Sequence, residues 1–305
     1  MFKRILVPLD GSTLAEAALA PAISIAERFG AELLLVRTIL THVFPGADPG
    51  PSQLHALQEA ERYLETVIRP IRETGIAVNA AIPYDEPALG IADQAQFRHV
   101  DLIVMSTHGR KWPETMLHKS VTMGVLEHTT APILALKRKD DANGVEPPYL
   151  PPFMANHTAP IVVPLDGSLL SESALPVAEG LATAFGNPLI LVRAVERPQN
   201  TSVSMDSALI LANVENWMIE ETRNYLQRKQ HEVASRGMRV TTEISTGAPA
   251  WFIEECVQAN QAGLVVIASH GRSGPGRFLM GSVAQSVLRD SDVPVLLIRL
   301  NELQD

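Results

Sequence analysis

Cysteine is almost absent: the 305-residue chain holds one, Cys256. A single thiol excludes an intrachain disulfide and a thiolate zinc cage, and it suits a reducing compartment. Within "WFIEECVQA" it reads as a small helix residue rather than a reactive one. Basic charge is scarce too, with 25 Lys and Arg against 34 Asp and Glu, a net charge of −9. The densest cationic run is "KRK" at Lys137, Arg138 and Lys139, so nucleic acid is not expected as a partner. Long apolar runs are missing as well. Stretches such as "AELLLV" and "DLIVM" fall far below the roughly 20 residues that cross a bilayer. The opening "MFKRILVPLD" has neither an apolar signal segment nor a cleavage site, which leads us to expect a cytoplasmic protein without a membrane partner. What is left, 46% hydrophobic and 19% charged, is the composition of a soluble globular chain, long enough for two domains of about 100–150 residues.

The chain repeats itself. "ILVPLDGS" at Ile5 to Ser12 recurs as "IVVPLDGS" at Ile161 to Ser168, an offset of 156 residues. Farther on, "STHGRKWPETMLHKSVTMGVLEHTTAPILALK" from Ser106 aligns without a gap on "ASHGRSGPGRFLMGSVAQSVLRDSDVPVLLIR" from Ala268, an offset of 162. Six extra residues therefore lie between the two matches of the second copy, placed in the loop region "ERPQNTSVSMDSA". Between the copies, "RKDDANGVEPPYLPPFMANHTAP" is rich in Pro, Asn and Asp and reads as a linker. These boundaries give a first domain at 1–139, a linker at 140–157 and a second domain at 158–305.

Each copy alternates short apolar strands with amphipathic helices. In the first, "RILVPL", "ELLLVR", "AVNAAI", "DLIVMS" and "PILALK" read as strands. Helices are expected over "STLAEAALAPAISIAERF", from about Gln53 to Glu73, over "ALGIADQAQFR" and over "SVTMGVLEHT". Thr13 and Glu16 stand at capping-box spacing, and Gly30 and Gly75, like Gly186 and Gly237 in the second copy, stand where helices end. Continuous Val, Ile and Leu strands joined by helices predict an α/β fold: two tandem open sheets of about five parallel strands, flanked by helices. Such sheets bind ligands at the carboxyl ends of their strands, where the chain order reverses.

Two loops of each copy fall at that edge. "PLDGS" puts Asp10 or Asp166 beside a helix N-terminus, where a carboxylate caps the helix and can also meet a ligand. In "ASHGRSGPGRFLMGSV", Gly271, Gly274 and Gly276 let backbone N–H groups approach a ligand, and Arg272 and Arg277 supply cations for an anion. Ser282 reads as an N-cap with Gln285 completing a capping box, and a helix start behind glycines is suited to phosphate. Neither a Walker A loop nor G-x-G-x-x-G after a first strand is present. No G-x-S-x-G elbow marks a hydrolase nucleophile. His108 and His270 hold equivalent turn positions, suited to ordering the loop or touching a ligand; His118 and His128 read as solvated, and no metal site is expected.

The combination of "VPLDGS" after the opening strand, "ASHG", nine residues, then "GS" before a helix resembles the universal stress protein family, and both copies share in the resemblance. It implies a five-stranded sheet in the order 3-2-1-4-5, of the adenine-nucleotide α-hydrolase type. The implied cofactor is ATP, with or without Mg, at the switch point. Carried onto the second copy, the resemblance puts Asp166 near the adenosine and the backbone around Val192, at the end of the second strand, near the adenine. Gly271, Arg272, Gly281, Ser282 and Val283 then lie around the phosphates, and Pro164, Ala268, His270, Gly274 and Arg277 complete the candidate binding set. Asp10, His108, Gly109, Arg110, Lys119 and Ser120 form the corresponding, weaker set in the first copy. There, Trp112, Glu114 and Lys119 replace Gly274, Gly276 and Gly281, so that site is expected to be degenerate. The family likeness also implies an intramolecular pseudo-dimer packed through the last strands, and a homodimer of chains. The function implied is an ATP-binding stress or regulatory protein; the alternatives are an adenine-nucleotide hydrolase or transferase using Asp166 and His270, and a ligand-free interaction module.

Overall fold

The computed structural model describes residues 1–40, 50–107, 121–137, 150–196, 205–270 and 280–299. They fall into two compact units that divide between Leu150 and Pro151. The first unit contains β1 (Arg4–Pro8), α1 (Thr13–Glu16), α2 (Leu19–Phe29), β2 (Glu32–Val36) and α3 (Gly50–Glu73). It continues with β3 (Val78–Ala81), α4 (Pro87–Phe97), β4 (Leu102–Thr107), α5 (Val121–His128) and β5 (Ile133–Lys137). The second opens with α6 (Pro152–Ala155), β6 (Ile161–Pro164), α7 (Leu169–Glu172), α8 (Ala174–Phe185) and β7 (Leu189–Val195). It is completed by α9 (Met205–Ser235), β8 (Val240–Thr246), α10 (Pro249–Ala259), β9 (Leu264–Ala268), α11 (Ser282–Asp290) and β10 (Val295–Ile298).

Within the first unit the strands lie in the order β3-β2-β1-β4-β5, and within the second β8-β7-β6-β9-β10. Both are parallel and both follow the 3-2-1-4-5 pattern. Helices cover both faces of each sheet, so its central strands must be apolar on both sides. Ile5, Leu6, Val7, Ile161, Val162 and Val163 are accordingly wholly buried. Each such side chain contributes about 1.5–3 kcal/mol through burial.

Three local readings of the sequence are corrected. The helix expected after the first strand is broken in both copies, into α1 with α2 and α7 with α8. Pro21 and Pro176 sit in the first turn of the second piece. Neither has an N–H to give to the carbonyl four residues back, at Ala17 or Glu172, so a continuous helix cannot form. The N-cap is Ser12 rather than Thr13, its side chain accepting from the Ala15 N–H at 3.1 Å. Glu16 receives the Tyr63 hydroxyl instead of completing a capping box. The glycine helix ends stand: Gly30 and Gly186 close α2 and α8 in the left-handed conformation.

The span read as linker is partly built into the second unit. Phe153, in its Pro-rich part, is wholly buried and meets Phe185 edge to face at 5.4 Å. At Gly263 an added Cβ would collide with the Phe153 backbone. In the first unit the residue equivalent to Phe185 is Phe29, and its edge-on partner at 5.2 Å is Phe2. Two different segments thus fill the same corner of the fold. Composition called the second one linker because its single anchoring aromatic is surrounded by prolines.

Candidate functional site

The second sheet opens where its strand order reverses. β6 pairs with β7 from Ile161↔Leu189 to Pro164↔Val192. With β9 it is registered only at Ile161↔Leu264 and Val162↔Val265. A cavity of about 870 Å3 lies at this carboxyl edge, a size that suits a small-molecule site. Pro164, Asp166, Val192, Ala268, His270, Gly281, Ser282 and Val283 all line it. Gly271, Arg272, Gly274, Gly276 and Arg277 lie outside the described residues, as do His108, Gly109, Arg110, Trp112, Glu114, His118, Lys119 and Ser120 of the first copy.

The turn after β6 is fixed by Asp166. Its Oδ1 accepts from the Ser168 N–H at 2.9 Å and the Ser168 hydroxyl at 2.6 Å, while its own N–H donates to Ser171 Oγ at 3.2 Å. Ser168 Oγ in turn caps α7 by accepting from the Ser171 N–H at 3.1 Å. Gly167 between them has φ +88° and Gly11 in the first copy +89°, which explains the glycine in each "DGS". Asp10 makes the corresponding bond from the Ser12 N–H at 2.8 Å, but it is exposed whereas Asp166 is half-buried in the cavity wall. The carboxylate is thus a turn organiser in both copies, and in the second it also faces a cavity.

On the other side, both ends of the glycine-rich segment are tied together. The Ser269 carbonyl accepts from the Gly281 N–H at 2.8 Å, and the Ser269 N–H donates to the Ile298 carbonyl at 2.8 Å. Ser269 Oγ lies 3.2 Å from His270 Nδ1, a contact that orients the imidazole at the cavity edge. Ser282 is not the N-cap of α11. That position belongs to Gly281, which has no side chain to cap with, so the expected box with Gln285 does not form. The Gln285 N–H reaches the Gly281 carbonyl at 3.0 Å. No side chain caps this helix, and Ser282, Val283 and Ala284 of its first turn line the cavity. Their N–H groups and the positive end of the helix dipole suit an anion there. Gly281 has φ −67° and ψ 149°, so its backbone does not require glycine. What glycine provides is space.

Val192 is not at a strand end. β7 continues to Val195, and the Val192 carbonyl accepts from the Leu165 N–H at 2.8 Å. Ala194, two residues on and facing the same edge by strand parity, lines the cavity beyond the last residue of β6.

The opposite wall escaped the sequence reading. Trp217, Met218, Glu221 and Thr222 of α9 and Phe252 and Ile253 of α10 complete the cavity, with Arg193 at its base. Arg193 is buried, 3.4 Å from Glu221 and with its guanidinium 4.9 Å from the Tyr225 ring centroid. Tyr225 donates to Glu172 at 2.9 Å, and Lys229 lies 2.8 Å from the same carboxylate. Burial, then the hydrogen bond to Glu172 and that group's charge, push the Tyr225 hydroxyl well above the usual phenol range. Burial alone would lower Lys229, but its bonds to Glu172 and Glu232 raise it on balance. The first unit carries the same arrangement. Arg37 is 3.5 Å from Glu59 and 4.7 Å from the Tyr63 ring, and Tyr63 donates to Glu16 at 2.8 Å. The sequence carries a signal for this wall: Glu16 and Arg37 recur at an offset of 156, Glu59 and Tyr63 at 162.

Cys256 is 1% exposed, and burial together with the Glu243 carboxylate pushes its thiol up to about 12, the setting of an inert core residue. His128 is exposed. Among the described residues, no helix is long and apolar enough to cross a membrane.

Comparison with known proteins gives a consistent picture. The model of the universal stress protein family matches residues 1–137 and 158–299. A universal stress protein of Methanocaldococcus jannaschii is 30% identical over 139 residues, 46% of this chain and 81% of that protein. One of Mycolicibacterium smegmatis is 24% identical over 311 residues, 97% of this chain and 96% of that one. Among solved structures, a universal stress protein from Archaeoglobus fulgidus matches with a TM-score of 0.70 at 20% identity, covering 98% of this chain and 97% of that one.

Proposed function

This chain belongs to the universal stress protein family, and from that premise we propose that its second domain is an ATP-binding regulatory site whose occupancy is read by a partner or by self-association. One observation carries the reading. The cavity at the β6–β9 switch point joins Asp166 to the uncapped N-terminus of α11. An anionic ligand with a sugar and a base fits that order of groups: backbone N–H groups of Ser282 to Ala284 for phosphate, the Asp166 carboxylate for hydroxyls, the Ala194 edge for a base. Arg272 and Arg277 add cations from the glycine-rich loop. The cytoplasm is the setting this reading assigns to the protein.

Equilibrium dialysis with ATP tests it. The expected result is one tight site per chain, lost about a hundredfold in Gly281→Lys, equivalent to about 2.8 kcal/mol. Gly281→Ala is the control for folding, since an added Cβ meets only the Ser269 carbonyl at 3.4 Å and the His270 Cα at 3.7 Å. Two equally tight sites, or none, would overturn the proposal. Sedimentation with and without ATP then reads whether occupancy changes association.

A further inference from the structure

The wall of the cavity contributed by α9 has an unusual surface. Trp217, Glu221 and Tyr225 recur at four-residue steps with Met218 and Thr222 four apart beside them, and so the five share one face of the helix. Toward the C-terminus that face is closed: Thr222 is 2% exposed and Tyr225 7%, packed over β7 through Arg193. One turn earlier the cover ends, and Trp217 lines the cavity with 68% of its surface exposed. An indole so placed presents a large flat apolar face to the ligand space. Trp251 on α10 is 64% exposed as well, but it does not line the cavity.

Topology fixes which end of a ligand this face meets. α11 follows β9 and α9 follows β7, and these strands flank β6 on opposite sides. The anion-binding helix start and Trp217 therefore approach the cavity from opposite sides of the central strand. We propose that Trp217 is the stacking face for the planar heterocycle of the bound ligand, with Met218 beside it, and so sets selectivity for nucleobase-bearing anions over bare polyphosphate. The inference rests on the nucleotide reading above and specifies its base-binding half. His55 holds the equivalent position of the first copy, at the offset of 162, so this aromatic platform belongs to the second copy.

The test uses the full chain with Trp112→Phe and Trp251→Phe, leaving Trp217 as its one tryptophan, excited selectively over the tyrosines. ATP and adenosine should change the Trp217 emission, and inorganic tripolyphosphate should not. Trp217→Ala in the parent chain should weaken ATP roughly tenfold in dialysis, the scale of one lost base–aromatic stack. It should leave tripolyphosphate binding and the unliganded melting temperature unchanged, and Trp217→Phe should recover most of the affinity. ATP retained in dialysis with Trp217 emission unmoved and Trp217→Ala binding at parental strength overturns the stacking role alone. If the parent chain retains no ATP, the nucleotide reading falls and the stacking role falls with it.

Discussion

The two halves of this chain keep one set of side chains and change another. Glu16, Arg37, Glu59 and Tyr63 of the first unit match Glu172, Arg193, Glu221 and Tyr225 of the second in identity and in contact. The loops after the fourth strand do not match: glycines at 274, 276 and 281 answer to Trp112, Glu114 and Lys119. In each copy the arginine of the second strand meets a glutamate and a tyrosine of the long helix, and that tyrosine donates to a glutamate after the first strand, so the cluster ties the helix to the sheet. The sequences of the two loops have diverged, and the copy that keeps its glycines has a ligand-sized cavity at the carboxyl edge of its sheet.

The largest break in the comparison should come from the one corner that the copies fill with unrelated segments. Phe153→Ala empties a wholly buried ring site and should destabilise the second unit by about 3–5 kcal/mol. Phe2→Ala, 3% exposed against Phe29, should act on the first unit in the same way. Hydrogen exchange resolved by unit checks this. A Phe153→Ala chain whose second unit keeps full protection would mean that α6 is only a tether.

Next in size is the exchange of loop residues. Trp112→Gly, Glu114→Gly and Lys119→Gly together should raise the ATP stoichiometry from one toward two per chain, the converse of Gly281→Lys. No second site, with folding intact, would show that the first copy lacks more than bare backbone.

Much of this was legible beforehand, for physical reasons that differ by feature. The element sequence follows from the apolar runs, the strand order is what the family resemblance implies, and the helix-ending glycines follow from their need for positive φ. The N-cap of α11 was misread because Ser282 is the residue type that usually caps, whereas Gly281 holds the place. Val192 was misread because β7 outruns β6 by several residues, a difference in length that an apolar pattern does not show. The α9 wall was missed for another reason. Trp217 looks like any helical aromatic until the sheet is seen to stop beneath it, and only the paired offsets of Arg37 with Arg193 and Tyr63 with Tyr225 pointed toward that surface.

A smaller effect separates the two clusters themselves. The Arg193 side chain is 8% exposed and the Arg37 side chain 19%. Arg193→Met should cost about 1–3 kcal/mol in the second unit, and Arg37→Met less than about 1 kcal/mol in the first. Equal losses in thermal or urea unfolding would mean that burial does not set the difference.

The smallest and most specific effect is a dependence on alkaline pH. Tyr63 and Tyr225 are both raised above the ordinary phenol value, so the folded state favours the protonated hydroxyl that donates to Glu16 or Glu172. That contribution is fully present below the unfolded value of about 10 and is lost as pH rises through the higher folded value. Melting temperature should therefore hold level from neutral pH to about 10 and fall above it. Tyr225→Phe should cost about 1 kcal/mol at neutral pH and make the alkaline fall shallower in the second unit. Tyr63→Phe should do the same in the first unit. The copies should still differ, because Lys229 stands where the first copy has Val67. Its own value is raised by Glu172 and Glu232, so its deprotonation removes stability in the same direction. After both tyrosines are replaced, the second unit should keep more alkaline sensitivity than the first, and Lys229→Met should remove that excess.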